Sequence, residues 1–247
     1  MTRRHLAGML ALGAAGGALG CRAARHRGDP SILLYDGPGT SPNDVRAFEA
    51  VLRRAGLGYW TVNAAELGAM GEAGMRRSRL TIVPGGNYID IGNGLGARTA
   101  ADLRNAVSGG LNYLGVCAGA FLAGDFPNNG LNLTGGARFG FYSAERRGVR
   151  KAALAIAFPE GATADHYWED GPELSGWGAV AARYPDGTPA IVEGRAGRGW
   201  VILAGFHPEA PESWRQGLRF GASAEADNAF AQRLIRAALD GKALPRF

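Results

Sequence analysis

Residues 113–121 read Tyr113-Leu114-Gly115-Val116-Cys117-Ala118-Gly119-Ala120-Phe121, an apolar run that leads into Gly-x-Cys-x-Gly and small residues. This pattern is the sequence form of a nucleophile elbow, in which a strand turns into a helix so tightly that the flanking positions must be nearly free of side chains. Such a turn leaves the Cys117 thiol at the end of the sheet, over the first N–H groups of the next helix. A buried structural cysteine among closely packed glycines has the same local pattern, so this segment alone leaves both interpretations open.

A second apolar strand begins at Gly199 and ends in His207-Pro208-Glu209. Pro208 cannot donate to a sheet ladder, which suits the point where a strand leaves its sheet. His207 and Glu209 are two residues apart, so in an extended chain both point to the same side and the carboxylate can hold one imidazole nitrogen. Together with Cys117 they predict a catalytic triad of a thiol, an imidazole that accepts its proton, and an orienting acid. Read alone, a strand-end histidine is more typical of a structural hydrogen bond.

These motifs resemble the class I glutamine amidotransferase-like superfamily, whose members carry an elbow cysteine and a late His-x-Glu pair. The branch that the chain resembles most is the biotin-protein ligase N-terminal domain. The resemblance covers most of the chain from about residue 31 and rests on three segments: Val83-Pro84-Gly85-Gly86-Asn87-Tyr88, residues 115–120 and residues 197–209. It implies a cysteine-dependent hydrolase that acts on an amide or related acyl substrate through Cys117, His207 and Glu209.

The same resemblance places the oxyanion donors at the backbone N–H groups of the Gly85-Gly86 turn and of Ala118. Attack on a carbonyl creates a tetrahedral oxyanion, and preorganised donors stabilise that charge. The residues fit, because residues 80–83 read as a buried strand with Pro-Gly-Gly at its carboxyl end, followed by Asn87 as a substrate-binding candidate. Pro-Gly-Gly is also typical of a simple turn, which remains the alternative.

One position departs from the superfamily pattern. In glutaminase members the fourth residue after the nucleophile is usually a glutamine that helps to hold the substrate, and here it is Phe121. A phenyl ring cannot offer the paired donor and acceptor of an amide. The sequence therefore favours another amide or a thioester over free glutamine, and it leaves open a non-catalytic ligand-binding module of the same fold.

A third interpretation is a protease or deglycase-like member of the same fold. In that branch the acid usually comes from the region of the first strand, so Asp36 would be the residue to test. The pattern His207-Pro208-Glu209 favours the amidotransferase interpretation over this one.

The N-terminus is typical of an export signal. Arg3 and Arg4 form a charged start, and residues 6–19 are a weakly apolar run that is too short to span a bilayer comfortably. Paired arginines resemble the Tat type of signal, which carries folded proteins across a membrane. The sequence therefore predicts a removable signal over residues 1–20.

Ala18-Leu19-Gly20-Cys21 resembles a lipobox whose leucine lies one position late, and simple cleavage near Cys21 is the alternative to lipidation. Residues 21–30 would then be a tether and residues 31–247 the amidotransferase-like domain. The chain has two cysteines, so lipidation of Cys21 leaves Cys117 without an intramolecular partner. Because oxidising compartments favour pairing, an unpaired thiol there indicates reactivity. These features predict a periplasmic or cell-envelope protein held by a lipid anchor.

Composition limits the classes of partner. Apolar residues make up 46% of the chain, which is enough for an ordinary α/β core. A net charge of +5, carried mostly by scattered arginines, is too small to indicate nucleic acid binding. The histidines and cysteines lack zinc-type spacing. We therefore expect no metal and no cofactor, a small-molecule or peptide amide as substrate, and membrane contact only through the lipid anchor.

Alternating strands and helices predict a parallel sheet with helices on both faces, in agreement with the flavodoxin-like three-layer α/β sandwich that the resemblance implies. A first helix is predicted to begin at the cap Ser41, with Pro42 at its first position and Asp44 completing a capping box. Strands are predicted at residues 31–35, 59–62 and 80–83, and another helix near residues 99–107.

The chain becomes glycine-rich after Gly124, which predicts an antiparallel extension beside the mostly parallel sheet. Short strands are predicted near residues 131–134, 140–143 and 152–158. Residues 184–192 and 198–204 read as a hairpin joined by residues 193–197, and residues 227–239 as a closing amphipathic helix. Ligands of such folds bind at the carboxyl ends of the strands, which is where the candidate residues fall.

Overall fold

The computed structural model describes residues 30–247. Its helices and strands follow one another in this order: β1 (Ile32–Tyr35), α1 (Pro42–Arg54), β2 (Tyr59–Val62), α2 (Ala64–Met75), β3 (Leu80–Val83), α3 (Tyr88–Ser108), β4 (Asn112–Val116), α4 (Ala118–Leu122), β5 (Gly140–Phe141), α5 (Ser143–Arg146), β6 (Lys151–Ala157), β7 (Thr163–Glu169), β8 (Pro172–Glu173), β9 (Ala179–Arg183), β10 (Pro189–Ala196), β11 (Gly199–Ala204) and α6 (Ala224–Asp240). Short 3-10 turns lie at Pro159–Gly161 and Glu212–Arg215. The predicted strands at residues 59–62 and 80–83 have the predicted bounds.

A nine-stranded sheet with the order β2-β1-β3-β4-β11-β10-β9-β6-β7 forms the middle of the fold. In the part of the sheet with the order β2-β1-β3-β4-β11, every adjacent pair of strands is parallel. From β11 onward the neighbours are antiparallel. The predicted α/β fold, with a mostly parallel sheet and an antiparallel extension, is confirmed, and the extension continues the same sheet.

Both faces of the sheet are covered, because side chains alternate between them along each strand. Ile32 and Leu34 of β1 pack into a core cluster with α1 and α6. Leu33 and Tyr35 of the same strand pack into a second cluster with α2 and α3. These clusters are the two interfaces of a three-layer sandwich. No helix in residues 30–247 is both long enough and apolar enough to cross a membrane.

Helix α1 begins as predicted but uses its first turn differently. Ser41 is the N-cap, and its side chain accepts from the Asp44 N–H at 3.4 Å. The reciprocal half of the predicted capping box is missing, because the Ser41 N–H donates to the Gly85 carbonyl oxygen at 3.0 Å. The carboxyl group of Asp44 is therefore free to make other contacts, which place it in the candidate site.

The predicted strand near residues 131–134 is wrong. Asn132 has a φ of 45°, a left-handed conformation that interrupts extended backbone. Leu131 and Leu133 donate instead to carbonyl oxygens at the end of α4, at 2.8 Å each. The hairpin of β10 and β11 is present, but its connection is shorter than predicted and consists of Gly197 and Arg198.

Candidate active site

Cys117 occupies a tight turn between β4 and α4. Its φ of 50° and ψ of −107° lie outside the regions that a side-chain-bearing residue prefers. The neighbouring Gly119 is pressed against β3, where an added Cβ would overlap the Val83 carbonyl oxygen. The buried Tyr113 hydroxyl donates to the Gly119 carbonyl oxygen at 2.8 Å and so stabilises the turn. The elbow geometry expected from the sequence is therefore present.

His207 lies three residues beyond the end of β11 and is held in place by the adjacent strand β7. Its N–H donates to the Tyr167 carbonyl oxygen at 2.8 Å, forming an isolated antiparallel bridge. His207 is 4% exposed. It packs against the rings of Tyr167 and Trp214, with centroid distances of 5.9 Å and 5.7 Å. These contacts fix the plane of the imidazole.

Two buried carboxyl groups meet at one nitrogen of His207. Nδ1 hydrogen-bonds Oε1 of Glu209 at 2.9 Å, the contact expected from their spacing in sequence. Oδ1 of Asp44, in the first turn of α1, lies 3.2 Å from the same nitrogen. Because Nδ1 is hydrogen-bonded to Glu209 and lies beside Asp44, the other ring nitrogen is the one that can exchange a proton with another group.

Burial and the neighbouring charges shift the pKa values of His207, Glu209 and Asp44 in different directions. Burial would lower the pKa of His207, but the electrostatic effects of the neighbouring Cys117 and Glu209 and the contact with Asp44 raise that pKa well above its ordinary value. Burial raises the pKa of Glu209, and His207 offsets this only in part. Burial acts in the same direction on Asp44, yet its contact with His207 holds the pKa of Asp44 below the usual range. Asp44 thus carries charge beside the ring more readily, while Glu209 supplies the hydrogen bond.

Asp44 is the site residue that the sequence interpretation missed. Its position three residues after Ser41 reads as a helix cap, and that local explanation is sufficient by itself. The available signal was topological, because α1 follows β1 and its first turn must lie at the carboxyl edge of the parallel sheet.

The oxyanion donors expected from the sequence are the N–H groups of the Gly85-Gly86 turn and of Ala118, and those of Gly86 and Ala118 make no hydrogen bond within a helix or strand. Gly86 forms a bridge with Thr40, but the hydrogen bonds of that bridge are donated by Ser41 and Asn87. Ala118 is the first residue of α4, so its N–H has no partner within the helix. Both groups are therefore available for a bound oxygen.

Gly85 lies directly against the acid and the imidazole. A Cβ at this position would overlap Oδ1 of Asp44 and come within 2.8 Å of Cε1 of His207. Because Gly85 has no side chain, it leaves space for the side chains of Asp44 and His207. Asn87 lines the cleft, but its side-chain oxygen caps α3 by accepting from the N–H groups of Ile89 and Asp90 at 3.0 Å and 3.3 Å. Its oxygen is therefore engaged in holding the helix.

An open cleft of about 880 Å³ contains these groups, a size suited to a substrate larger than a few atoms. Cys117 is 6% exposed within it, and its Sγ donates to the Glu169 carbonyl oxygen at 3.5 Å. The cleft is lined by residues from eight segments of the chain: Ser41, Asn43, Asp44, Gly86, Asn87, Tyr88, Ile89, Cys117, Phe121, Phe141, Arg150, Lys151, Tyr167, Glu169, Asp170, His207, Ser213, Trp214 and Gln216.

Asp36, the acid of the deglycase-like alternative, is exposed after β1 and is not among the described residues that line the cleft. Cys21, the predicted export signal over residues 1–20 and nearly all of the tether lie outside the described residues.

A metal could be held in one place within residues 30–247. The ligand atoms of Asp44, His207 and Glu209 lie within 4.8 Å of one another, and all three residues are buried. Nδ1 of His207 cannot both donate to Glu209 and bind an ion. The observed hydrogen bond therefore corresponds to an acid–imidazole arrangement, and metal binding would require a different tautomer.

A comparison with protein families finds one matching model, described as "Biotin-protein ligase, N terminal", over residues 30–166. This is more than half of the chain, and it includes Asp44 and Cys117 but ends before His207 and Glu209. Among curated proteins, none matches the chain.

Solved structures share the architecture. A glutamine amidotransferase is 22% identical, with a TM-score of 0.56 over 72% of this chain and 90% of that chain. PurLQS from Thermotoga maritima is 16% identical, with a TM-score of 0.56 over 84% of this chain and 99% of that chain. A putative GMP synthase subunit from Thermoplasma acidophilum is 14% identical, with a TM-score of 0.53 over 85% of this chain and 99% of that chain. At these identities the similarity shows a glutamine amidotransferase-type fold.

Proposed function

The chain belongs to the biotin-protein ligase N-terminal family, and we propose that it is a cysteine-dependent hydrolase of the amidotransferase type that acts on an amide or related acyl substrate. One observation carries the proposal. Cys117, at a strained elbow, shares an open cleft with His207, whose Nδ1 faces two buried carboxyl groups. A structural cysteine and a structural histidine have no need of this arrangement.

The chemistry proceeds by acyl transfer to sulfur. His207 takes the proton of the Cys117 thiol, and the sulfur attacks the substrate carbonyl carbon. The oxyanion of the tetrahedral intermediate accepts from the N–H groups of Gly86 and Ala118. The C–N bond then breaks, His207 gives its proton to the departing amine, and a thioester remains on Cys117. Water, deprotonated by His207, hydrolyses the thioester and releases the carboxylic acid.

The two acids act through His207 and are positioning residues. Glu209 holds the Nδ1–H and so fixes the ring orientation, as the acid of a serine-type triad does. Asp44 adds negative charge beside the imidazolium that forms during each proton transfer. Both together favour the protonated ring that the leaving group requires.

Hydrolysis of a substrate panel tests this proposal. Glutamine, peptide amides and thioesters are incubated with the wild-type protein, Cys117→Ala and His207→Gln, and products and intact protein mass are measured. We expect turnover and an acyl adduct on Cys117 in the wild type, and neither in Cys117→Ala. Glu72→Gln, a change at a largely exposed helix position that does not line the cleft, is the matched control and should behave as wild type. Retained activity in Cys117→Ala would overturn the proposal.

A second candidate function is a ligand-binding module without catalytic activity. It is favoured by Phe121, whose ring stacks on Tyr88 where a glutaminase would present an amide. If this candidate is correct, a ligand binds tightly in the cleft and is recovered with its mass unchanged. A catalytic rate on any amide, lost in Cys117→Ala, excludes it.

We further propose that residues 1–20 direct export and that Cys21 is lipidated, which the paired Arg3 and Arg4 and the lipobox-like segment support. Cell fractionation and mass analysis test both parts. Replacing Arg3 and Arg4 together by Lys is expected to retain full-length protein in the cytoplasm. Cys21→Ser is expected to remove the protein from the membrane fraction. A wild-type chain that stays full-length in the cytoplasm would contradict export.

A further inference from the structure

Three aromatic rings form a continuous apolar side of the cleft, here named the aromatic wall: Tyr88, Phe121 and Phe141. Tyr88 and Phe121 stack with ring centroids 4.5 Å apart and planes at 18°. Phe141 meets Phe121 edge-on at 4.9 Å and Tyr88 at 6.5 Å. Mutual packing of this kind fixes the rings, so the wall is a preformed surface.

The aromatic wall is continuous with the reacting groups. Phe121 lies one helical turn after Cys117, and its N–H donates to the Cys117 carbonyl oxygen at 3.1 Å. Tyr88 follows two residues after Gly86, at the start of α3. A carbonyl held between Cys117 and Gly86 would therefore lie between the two chain segments that carry Phe121 and Tyr88.

The polarity of the wall excludes a good fit for an amide side chain. Its rings contribute only the Tyr88 hydroxyl as a hydrogen-bonding group. The side-chain oxygen of the adjacent Asn87 is occupied by its two cap hydrogen bonds. Ile89, 39% exposed, extends the apolar surface at the cleft. A carboxamide placed against the three rings would lose hydrogen bonds to water and find few partners there, which is unfavourable.

The location of His207 separates the two ends of the substrate. Among the described residues, ring contacts link the wall members to one another and link His207 to Tyr167 and Trp214, but none links the two groups. The leaving group receives its proton from His207 and so departs on that side. The acyl portion therefore faces the wall.

We infer that the substrate is an amide or peptide bond whose acyl portion carries an aromatic or bulky aliphatic group close to the scissile carbonyl. This inference rests on the proposed function and names its substrate class. Burial of one such group on a preformed apolar surface corresponds to a preference of about tenfold to a hundredfold over a small or polar acyl group.

Three p-nitroanilides with the same leaving group test the inference: 3-phenylpropionyl, γ-glutamyl and acetyl. We expect the 3-phenylpropionyl compound to give the highest kcat/KM, by at least about tenfold. Phe141→Ala, which removes a partly exposed ring of the wall, should lower kcat/KM for the 3-phenylpropionyl compound by a larger factor than kcat/KM for the acetyl compound. Phe158→Ala is the matched control, because Phe158 is also partly buried but packs on His166 and Phe230, outside the cleft.

Failure of the inference and failure of the proposed function give different results. Acylation of Cys117 with equal or better use of the γ-glutamyl compound overturns the inference and leaves the hydrolase proposal intact. Absence of turnover and of any Cys117 adduct overturns the hydrolase proposal. In that case calorimetric binding of 3-phenylpropionamide and glutamine to Cys117→Ser decides the inference. Binding of 3-phenylpropionamide at least about tenfold tighter, weakened by Phe141→Ala, supports the aromatic wall, and equal binding overturns it.

Discussion

Oδ1 of Asp44 lies 3.2 Å from Nδ1 of His207, although 163 positions separate the two residues in the sequence. Oε1 of Glu209 approaches the same nitrogen to 2.9 Å. A single ring nitrogen thus has two acids as partners, one from the first turn of α1 and one from the turn beyond β11. We therefore expect either acid to hold the ring in part when the other is replaced.

This shared contact predicts partial redundancy. Asp44→Asn and Glu209→Gln should each lower kcat/KM by about tenfold, and the double variant should lose more than the product of the two single losses. The alkaline limb of the pH–rate profile, where the His207 imidazolium loses its proton, should move to lower pH in each variant. The reason is that each acid contributes to the raised pKa of His207.

Steady-state kinetics across pH provide this measurement, and a double-mutant cycle gives the coupling. Glu212→Gln is the control, because Glu212 is a largely exposed acid on the short turn that also carries Trp214. Strictly multiplicative losses with an unmoved alkaline limb would show that the two acids do not act through His207.

Gly85→Ala tests the space that the acid and the ring require. The added methyl group would overlap Oδ1 of Asp44 and crowd Cε1 of His207, so we expect His207 to be displaced and kcat/KM to fall by about 100-fold. Gly140→Ala is the matched control, since a Cβ there meets nothing within 4 Å. Similar activity of the two variants would refute the close packing of Gly85.

Acid sensitivity is predicted for a second buried cluster, in which Asp227 contacts both His166, at 3.3 Å from its Nδ1, and Arg215. Burial and then the charges of Arg215 and Arg233 lower the pKa of His166 to about 3. The native state therefore binds fewer protons at His166 than the unfolded chain between about pH 3 and 6.5. This contribution to the free energy of unfolding is present above that window and is lost as pH falls through it.

Asp227 acts with the opposite sign. Burial, partly offset by Arg215, raises the pKa of Asp227 to about 6, so its contribution is present at low pH and is lost as pH rises from about 4 to 6. His166→Phe removes only the first effect. Relative to wild type, the variant should become less stable as pH rises from 4 to 6.5, by at most about 1.4 kcal/mol per pH unit. Urea unfolding at pH 4, 5 and 7 measures this, and a constant difference would contradict it.

The parts of the site that the sequence predicted are those encoded by neighbouring residues. The elbow around Cys117 requires small residues within one turn, and the contact of His207 with Glu209 spans two positions, so both patterns are local. Asp44 was missed because its contact with His207 depends on how α1 lies relative to β11. The helix cap at Ser41 already accounted for an acid at position 44. The strand prediction for residues 131–134 was wrong for a related reason. Their alternating apolar residues resemble a strand, but Asn132 is left-handed and the backbone N–H groups bond to the end of α4.

The pairing of Cys117 with His207 is tested most directly by the rate at which iodoacetamide alkylates Cys117. In a Cys21→Ser chain Cys117 is the only thiol, since the sequence has two cysteines. At pH 6.5 we expect native Cys117 to react at least about tenfold faster than in Cys21→Ser/His207→Gln, and equal rates for both chains in denaturant. Equal rates in the two native proteins would contradict the account, because the imidazole would then have no effect on the thiol.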